Sequence, residues 1–244
     1  MGELADVYEE TRMSVRDLLE GRPAEDMNSP VPATPGWRVR DVVAHLVGDI
    51  DCVTRGEFPV EFFQAFGDTD AVVVLNNWTT THVSRRADRS LAEMFDEWDS
   101  VVETLLPMMR GDQPWPDGVP PFADMALTTD LGVHQHDLNG TFGIERDRDS
   151  VPVKIGLSGY IAVMDMRLAS DGVGAIAFEA PGKRWVAGRK DPIATVRATR
   201  FELFRALSGR RSPEQLLAYE WEGDPEPFIN YFYPYGVRDQ ALME

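Results

Sequence analysis

Cysteine is almost missing from this 244-residue sequence: Cys52 stands alone. A single thiol cannot build an intrachain disulfide framework, and its scarcity fits a reducing compartment, so a cytoplasmic setting is expected. Positive charge is scarce as well. The chain carries 24 Lys and Arg against 41 Asp and Glu, a formal net charge of -17. A surface of that sign repels polyanions, so nucleic acid is not an expected partner, and anionic membranes are disfavoured for the same reason. Nowhere do about eighteen apolar residues run together, which excludes a transmembrane helix. The opening MGELADVYEETRMSVRDLL has no charged segment followed by an apolar run, so no signal peptide is visible. GxSxG, P-loop, CxxC and HExxH patterns are all absent, and VGAIAFEA lacks the glycine spacing of a dinucleotide loop. No repeat or low-complexity tract appears. What remains is ordinary globular composition, 43% hydrophobic and 27% charged.

The first half reads as helices. Residues 3–20 place Leu4, Val7, Met13, Val15, Leu18 and Leu19 on one side at helical spacing. GRPAEDMNSPVPATPGW is a proline- and glycine-rich loop. Arg38–Arg55 is a second helix, with Val39, Val42, Val43, Leu46, Val47 and Ile50 recurring at three and four. VEFFQAF and AVVVLNNW read as two short helices or as a helix and a strand, and His82 in TTTHVSRR as a loop or helix-start residue without a role. Ser90 and Glu93 form a capping box that opens a third clear helix, to about Met109. A fourth runs from Phe122 to about Phe142, with Gly140 and Gly143 as terminators. Beyond a linker at GIERDRDSVPV the texture changes. A helix near 153–169 leads into VGAIAFEA and KRWVAG, a hairpin about Pro181 and Gly182; PIATVRAT, RFELFRALSG, SPEQ and LAYEWEG then read as strand, helix, helix start and last strand. The expected fold is α+β: a four-helix bundle over residues 1–148 and a smaller α+β domain over 149–244.

Two of the four histidines lie in TTDLGVHQHDLNG, beside Asp130 and Asp137. On a helix, residues four apart share a face. Asp130 and His134 can therefore address one point, and Asp137, three beyond His134, lies near the same face. His136, two beyond, points to the other side. His45, in the apolar stripe of the second helix, can join them if helices two and four are neighbours. Two imidazoles and a carboxylate make a normal donor set for a divalent metal, zinc by default, with iron or nickel as alternatives, and bundle metal sites are built from facing helices in this way. The same spacing also serves an ordinary surface pair, and His45 has Asp41 and Asp49 one turn away on either side. Cys52, seven residues from His45, is expected to behave as a small buried hydrophobe.

These residues resemble a known family. PGWRVRDVVAHLVGD matches the Trp-x-Val-Arg-Asp-Val-x-x-His-Leu motif of the mycothiol-dependent maleylpyruvate isomerases, and DLGVHQHDLNGTFG matches their second motif, an acid, three residues, His, two residues and Asp. The C-terminal region is similar to that of many actinobacterial members. The resemblance implies a DinB-like bundle whose metal ligands are His45, Asp130 and His134, with Asp137 placed to orient a ligand imidazole. It implies mycothiol as thiol cosubstrate, a small-molecule substrate and, as in many bundles of this superfamily, a homodimer as an option. Where the family has Glu, this chain has Asp130, so the helix must lie closer or a water must bridge. Where the family often caps the helix with Thr or Ser, this chain has Arg38; Thr34 or Asp41 is expected to compensate.

The implied chemistry is addition of a metal-activated thiolate to an electrophilic carbon of a maleylpyruvate-like acid. Elimination then gives an isomerase; without it the step is S-transfer. Arg197, Arg200 and Arg205 are candidates for binding an acidic substrate, with pairing to local acids as the plainer reading. Two other functions remain open: a non-catalytic ligand-binding or regulatory descendant of the fold, and a thiol-independent metal-dependent hydrolase.

Overall fold

The computed structural model describes residues 2–60 and 69–244. Among them, α1 spans Gly2–Leu19, α2 Val39–Thr54, α3 Thr69–Arg85, α4 Leu91–Arg110, α5 Ala123–Thr141 and α6 Val151–Asp171. The strands β1 (Ala175–Ala180), β2 (Lys183–Gly188) and β3 (Pro192–Arg197) follow, then α7 (Arg200–Leu207), α8 (Pro213–Leu217), β4 (Glu220–Gly223) and a 3-10 segment over Glu226–Phe232. The architecture is α+β, helix-rich with a small C-terminal sheet. No helix among the described residues is long and apolar enough to cross a membrane. The chain divides into two compact units, the second holding Arg146–Met243.

The first unit is a bundle. Helices α1 and α2 each pack against both α4 and α5. Its core is built from side chains at three- and four-residue spacing, among them Val15 and Leu19 of α1, Val39, Val43, Val47 and Ile50 of α2, and Trp98 and Leu105 of α4, all essentially inaccessible to water. Arg12 and Arg16 of α1 both pair with Asp99 of α4, tying those helices at the rim.

Local signals set the boundaries. Ser90 accepts from the Glu93 amide, and the Glu93 carboxylate accepts from the Ser90 amide, so α4 opens on the expected capping box. Helix α2 lacks a hydroxyl cap. The Asp41 carboxylate makes the reciprocal half of a capping box, accepting the Arg38 backbone N–H at 2.9 Å and the Arg38 guanidinium at 2.9 and 3.0 Å. Burial alone would raise the Asp41 pKa, but Arg38 outweighs it and holds the carboxyl below its usual range. The Thr34 hydroxyl makes no cap; it is buried without a hydrogen-bond partner among the described residues.

The reading of residues 71–86 changes, and that of VEFFQAF is left untested. VEFFQAF lies, after Val60, outside the described residues. AVVVLNNW and TTTHVSRR together form the single helix α3, so His82 is not a loop or helix-start residue but sits in the last turn. The threonines of this stretch are satisfied within the helix: Thr79 and Thr80 donate to the Asn76 carbonyl at 3.1 and 2.6 Å, and Thr81 to that of Trp78 at 2.6 Å.

In the second unit the sheet order is β2-β1-β3-β4. β1 and β2 form an antiparallel hairpin with Ala180 opposite Lys183, connected by Pro181 and Gly182, whose φ of +74° suits glycine. β3 runs parallel to β1 on its other side, and β4 closes the edge antiparallel to β3. Helix α6 packs on β2 and α7.

Candidate metal centre

Helix α5 carries the stretch rich in histidine, and nearly every residue from Leu131 to Asn139 is buried. Polar side chains in a helix covered on all sides must find partners or lose their hydration without compensation. Gln135 does so by donating to Ser14 of α1 at 3.0 Å. His134, with Asp130 one turn before it, faces His45 of α2. His45 Nε2 lies 3.2 Å from Asp130 Oδ2, and His134 Nε2 lies 3.7 Å from Asp130 Oδ1. One donor atom from each of His45, Asp130 and His134 falls within 4.8 Å of the other two.

These spacings fit a metal. Donors about 2.1 Å from a tetrahedral zinc lie about 3.4 Å from one another, which the 3.2 and 3.7 Å separations bracket. The contacts use different oxygens of Asp130, Oδ2 toward His45 and Oδ1 toward His134, so the one carboxylate faces both imidazoles. The two histidines are buried, and the Asp130 side chain keeps 34% of its exposure, so the cluster is open on the carboxylate side.

Each imidazole is backed by a further group. Asp137, buried, brings Oδ2 to 2.9 Å from His134 Nδ1. Three residues apart on one helix, the carboxylate approaches obliquely, outside straight hydrogen-bond geometry. Behind His45 stands His82 of α3, with Nδ1 3.3 Å from His45 Nδ1 and the two rings stacked at 13°. Trp37, in the loop before α2, lies 6.1 Å from the His134 ring at 18° and 5.2 Å from the His45 ring, walling one side of the cluster.

The surrounding charges are perturbed. Burial, reinforced by the Asp130 charge and opposed by His45, pushes the Asp49 carboxyl up to about 7. Burial, then the charges of His45 and Arg86, pushes His82 down to about 3, so it is neutral. Burial drives the Tyr8 phenol of α1 far above its usual range, with Asp49 and Asp130 adding to the effect.

Other sequence candidates lie outside the cluster. His136 is buried but not among the converging donors. Cys52 is buried, its thiol pushed up to about 11 by burial and then Glu57, the condition of an inert hydrophobe. Arg197 pairs with Glu179, Glu220 and Glu222, and Arg200 with Asp149. Arg205 is fully buried, not a surface residue. The reading of the sequence missed His82, although Ala71, Leu75, Trp78 and His82 recur at helical spacing and would have marked it as inward-facing.

The family described as the mycothiol maleylpyruvate isomerase N-terminal domain matches residues 8–139, more than half of the chain. The chain belongs to that family. The matched segment of this maleylpyruvate isomerase family member contains His45, Asp130, His134 and Asp137. No curated protein sequence matches the chain. Two solved structures are similar in fold, a mycothiol-dependent maleylpyruvate isomerase and its histidine-to-alanine variant. The TM-scores are 0.55 for the former and 0.56 for the variant, each at 13% identity over 85% of this chain and 88% of that one.

Proposed function

We propose that this protein is a metal-dependent enzyme that uses a low-molecular-weight thiol, mycothiol by family, to isomerise or transfer sulfur to a small electrophilic acid of the maleylpyruvate type. The observation that carries this reading is the convergence of His45, Asp130 and His134 inside the family-matched bundle. His45 and His134 would hold a divalent cation, zinc being the first expectation, through neutral imidazole nitrogens, and Asp130 through its carboxylate. Bound there, such an ion lowers the pKa of a thiol that meets it and makes a thiolate available at neutral pH.

The chain's own residues do the rest. Asp137 holds the His134 ring in place from behind. Trp37 covers one flank and excludes water from it. The partial exposure of Asp130 leaves the opposite flank for substrate and thiol. This arrangement is common to isomerisation and S-transfer. We assign the centre to a first domain of residues 1–148 and the sheet to a second, 149–244.

The test is elemental mass spectrometry of untagged protein purified without chelator, beside His45→Ala, Asp130→Ala and His134→Ala, followed by turnover of maleylpyruvate with and without mycothiol. About one metal per chain in the wild type, lost in the variants, with thiol-dependent turnover, is expected. Folded wild-type protein that retains no metal, or turnover indifferent to thiol, would overturn the reading.

A further inference from the structure

We infer that His82 is a positioning residue for His45: its Nδ1 accepts a hydrogen bond from His45 Nδ1–H and thereby fixes the tautomer that presents the His45 Nε2 lone pair to a cation held with Asp130 and His134. Three observations carry this. First, the Nδ1 atoms of the two rings are 3.3 Å apart, while the other nitrogen of His45 is the one that faces Asp130. An imidazole that uses Nε2 as a donor to a cation must carry its proton on Nδ1, and the partner of that proton sets ring orientation. Second, His82 has no exposed surface, and its Nε2 has no hydrogen-bond partner among the described residues. Its ring makes its hydrogen-bond contact with His45, so a polar group is buried there for that contact. Third, the approach is built. Gly48 of α2 has no side chain where His82 packs; a Cβ there would meet His82 Cβ at 2.4 Å and Cγ at 2.5 Å. Arg86, one turn beyond His82, is 3% exposed, pairs with Glu97 of α4 at 2.5 Å and Asp51 of α2 at 3.2 Å, and donates to the His82 carbonyl at 3.3 Å. The end of α3 is thus pinned against α2 at the level of His45.

The role is distinct from packing because it depends on an acceptor atom. In His82→Asn the side-chain carbonyl oxygen takes the place of Nδ1, whereas His82→Leu fills similar space and accepts nothing. Both arms of the test rest on the proposed metal centre. Nitrogen NMR of zinc-loaded wild-type protein is expected to show His45 protonated at Nδ1 and His82 unprotonated at Nδ1. The reverse assignment would overturn the inference, and because this arm needs no variant, a chain that fails to fold cannot remove it. Zinc affinity by chelator competition, with the cobalt absorption spectrum as a check on geometry, is expected to fall about 10- to 100-fold in His82→Leu. In His82→Asn it should stay within a few-fold of wild type. Equal affinity in His82→Leu and wild type, or equal losses in both variants, would also overturn it. A wild type that binds no zinc would sink the metal centre and this role together, whereas zinc binding with the reverse assignment would sink the role of His82 alone.

Discussion

Replacing Gly48 by alanine sets two effects of known sign against each other. In a helix interior, Gly to Ala alone is worth up to about 1 kcal/mol in favour of alanine, because glycine loses more backbone freedom on folding. At Gly48 the new methyl would lie 2.4 Å from His82 Cβ, 2.5 Å from His82 Cγ and 2.8 Å from Arg86 Nη1. The first contact is with an atom bonded directly to the α3 backbone, so rotating a side chain cannot relieve it and α3 must move. Overpacking of that kind costs typically about 1–3 kcal/mol, and moving α3 also loosens the buried Arg86 from Glu97 and Asp51. The clash outweighs the propensity gain, and we expect net destabilisation of about 2 kcal/mol, lowering Tm by roughly 4–8 °C in a chain of this size. Gly159 of α6 is the control, since a Cβ there meets nothing within 4 Å; Gly159→Ala should be neutral or stabilising by up to about 1 kcal/mol. Urea and thermal unfolding of both variants decide the matter. A Gly48→Ala protein as stable as Gly159→Ala would refute the close approach of α2 and α3, and with it the placement of His82.

Further outcomes follow from the same geometry. The Asp49 pKa is raised in the fold to about 7 from 3.8, so its contribution to stability is fully present below about pH 4 and lost as pH climbs through 7. That loss is about 4 kcal/mol at 1.36 kcal/mol per unit; chelator-treated Asp49→Asn should unfold in urea with a flatter dependence between pH 4 and 7 than wild type, and parallel profiles would contradict a carboxyl raised by burial and the Asp130 charge. The Glu202 pKa is depressed: burial opposes ionisation, but the bidentate contact with Arg211 at 2.8 and 3.0 Å overcomes it. Its stabilisation is present above the ordinary glutamate range and disappears in acid, so Glu202→Gln should lower Tm at pH 7 and converge on wild type at low pH. Asp137→Ala should weaken metal binding about 10- to 100-fold without removing a ligand; unchanged chelator-competition curves would leave Asp137 without a role. Cys52 should resist a thiol reagent in native protein and react on unfolding, and rapid native labelling would show its surroundings to be more open than its burial indicates.

Much of the centre was legible because helical spacing is a local property. Asp130, His134 and Asp137 lie within eight positions of one α-helix, and once the helix is granted their shared face follows from its 3.6-residue turn. The capping box at Ser90 and the hairpin at Pro181 and Gly182 were legible for the same reason: each is completed by residues close in sequence. Helix α3 was not, because its run of valines and threonines has weak helix preference, and its threonine hydroxyls are satisfied only once the helix has formed.

The sequence by itself determined the helices other than α3, their apolar faces and the shared face of Asp130, His134 and Asp137. Only the tertiary structure decided which of them meet. His45 reaches Asp130 because α2 and α5 are neighbours in the bundle, and His82 reaches His45 because Gly48 lets α3 close on α2. The ionisation of Asp49 is likewise set by its burial and by the charge of Asp130, which is distant in sequence, against that of His45, which is near. Distances between helices depend on the side chains at their contact, which long-range packing selects and short-range spacing cannot report.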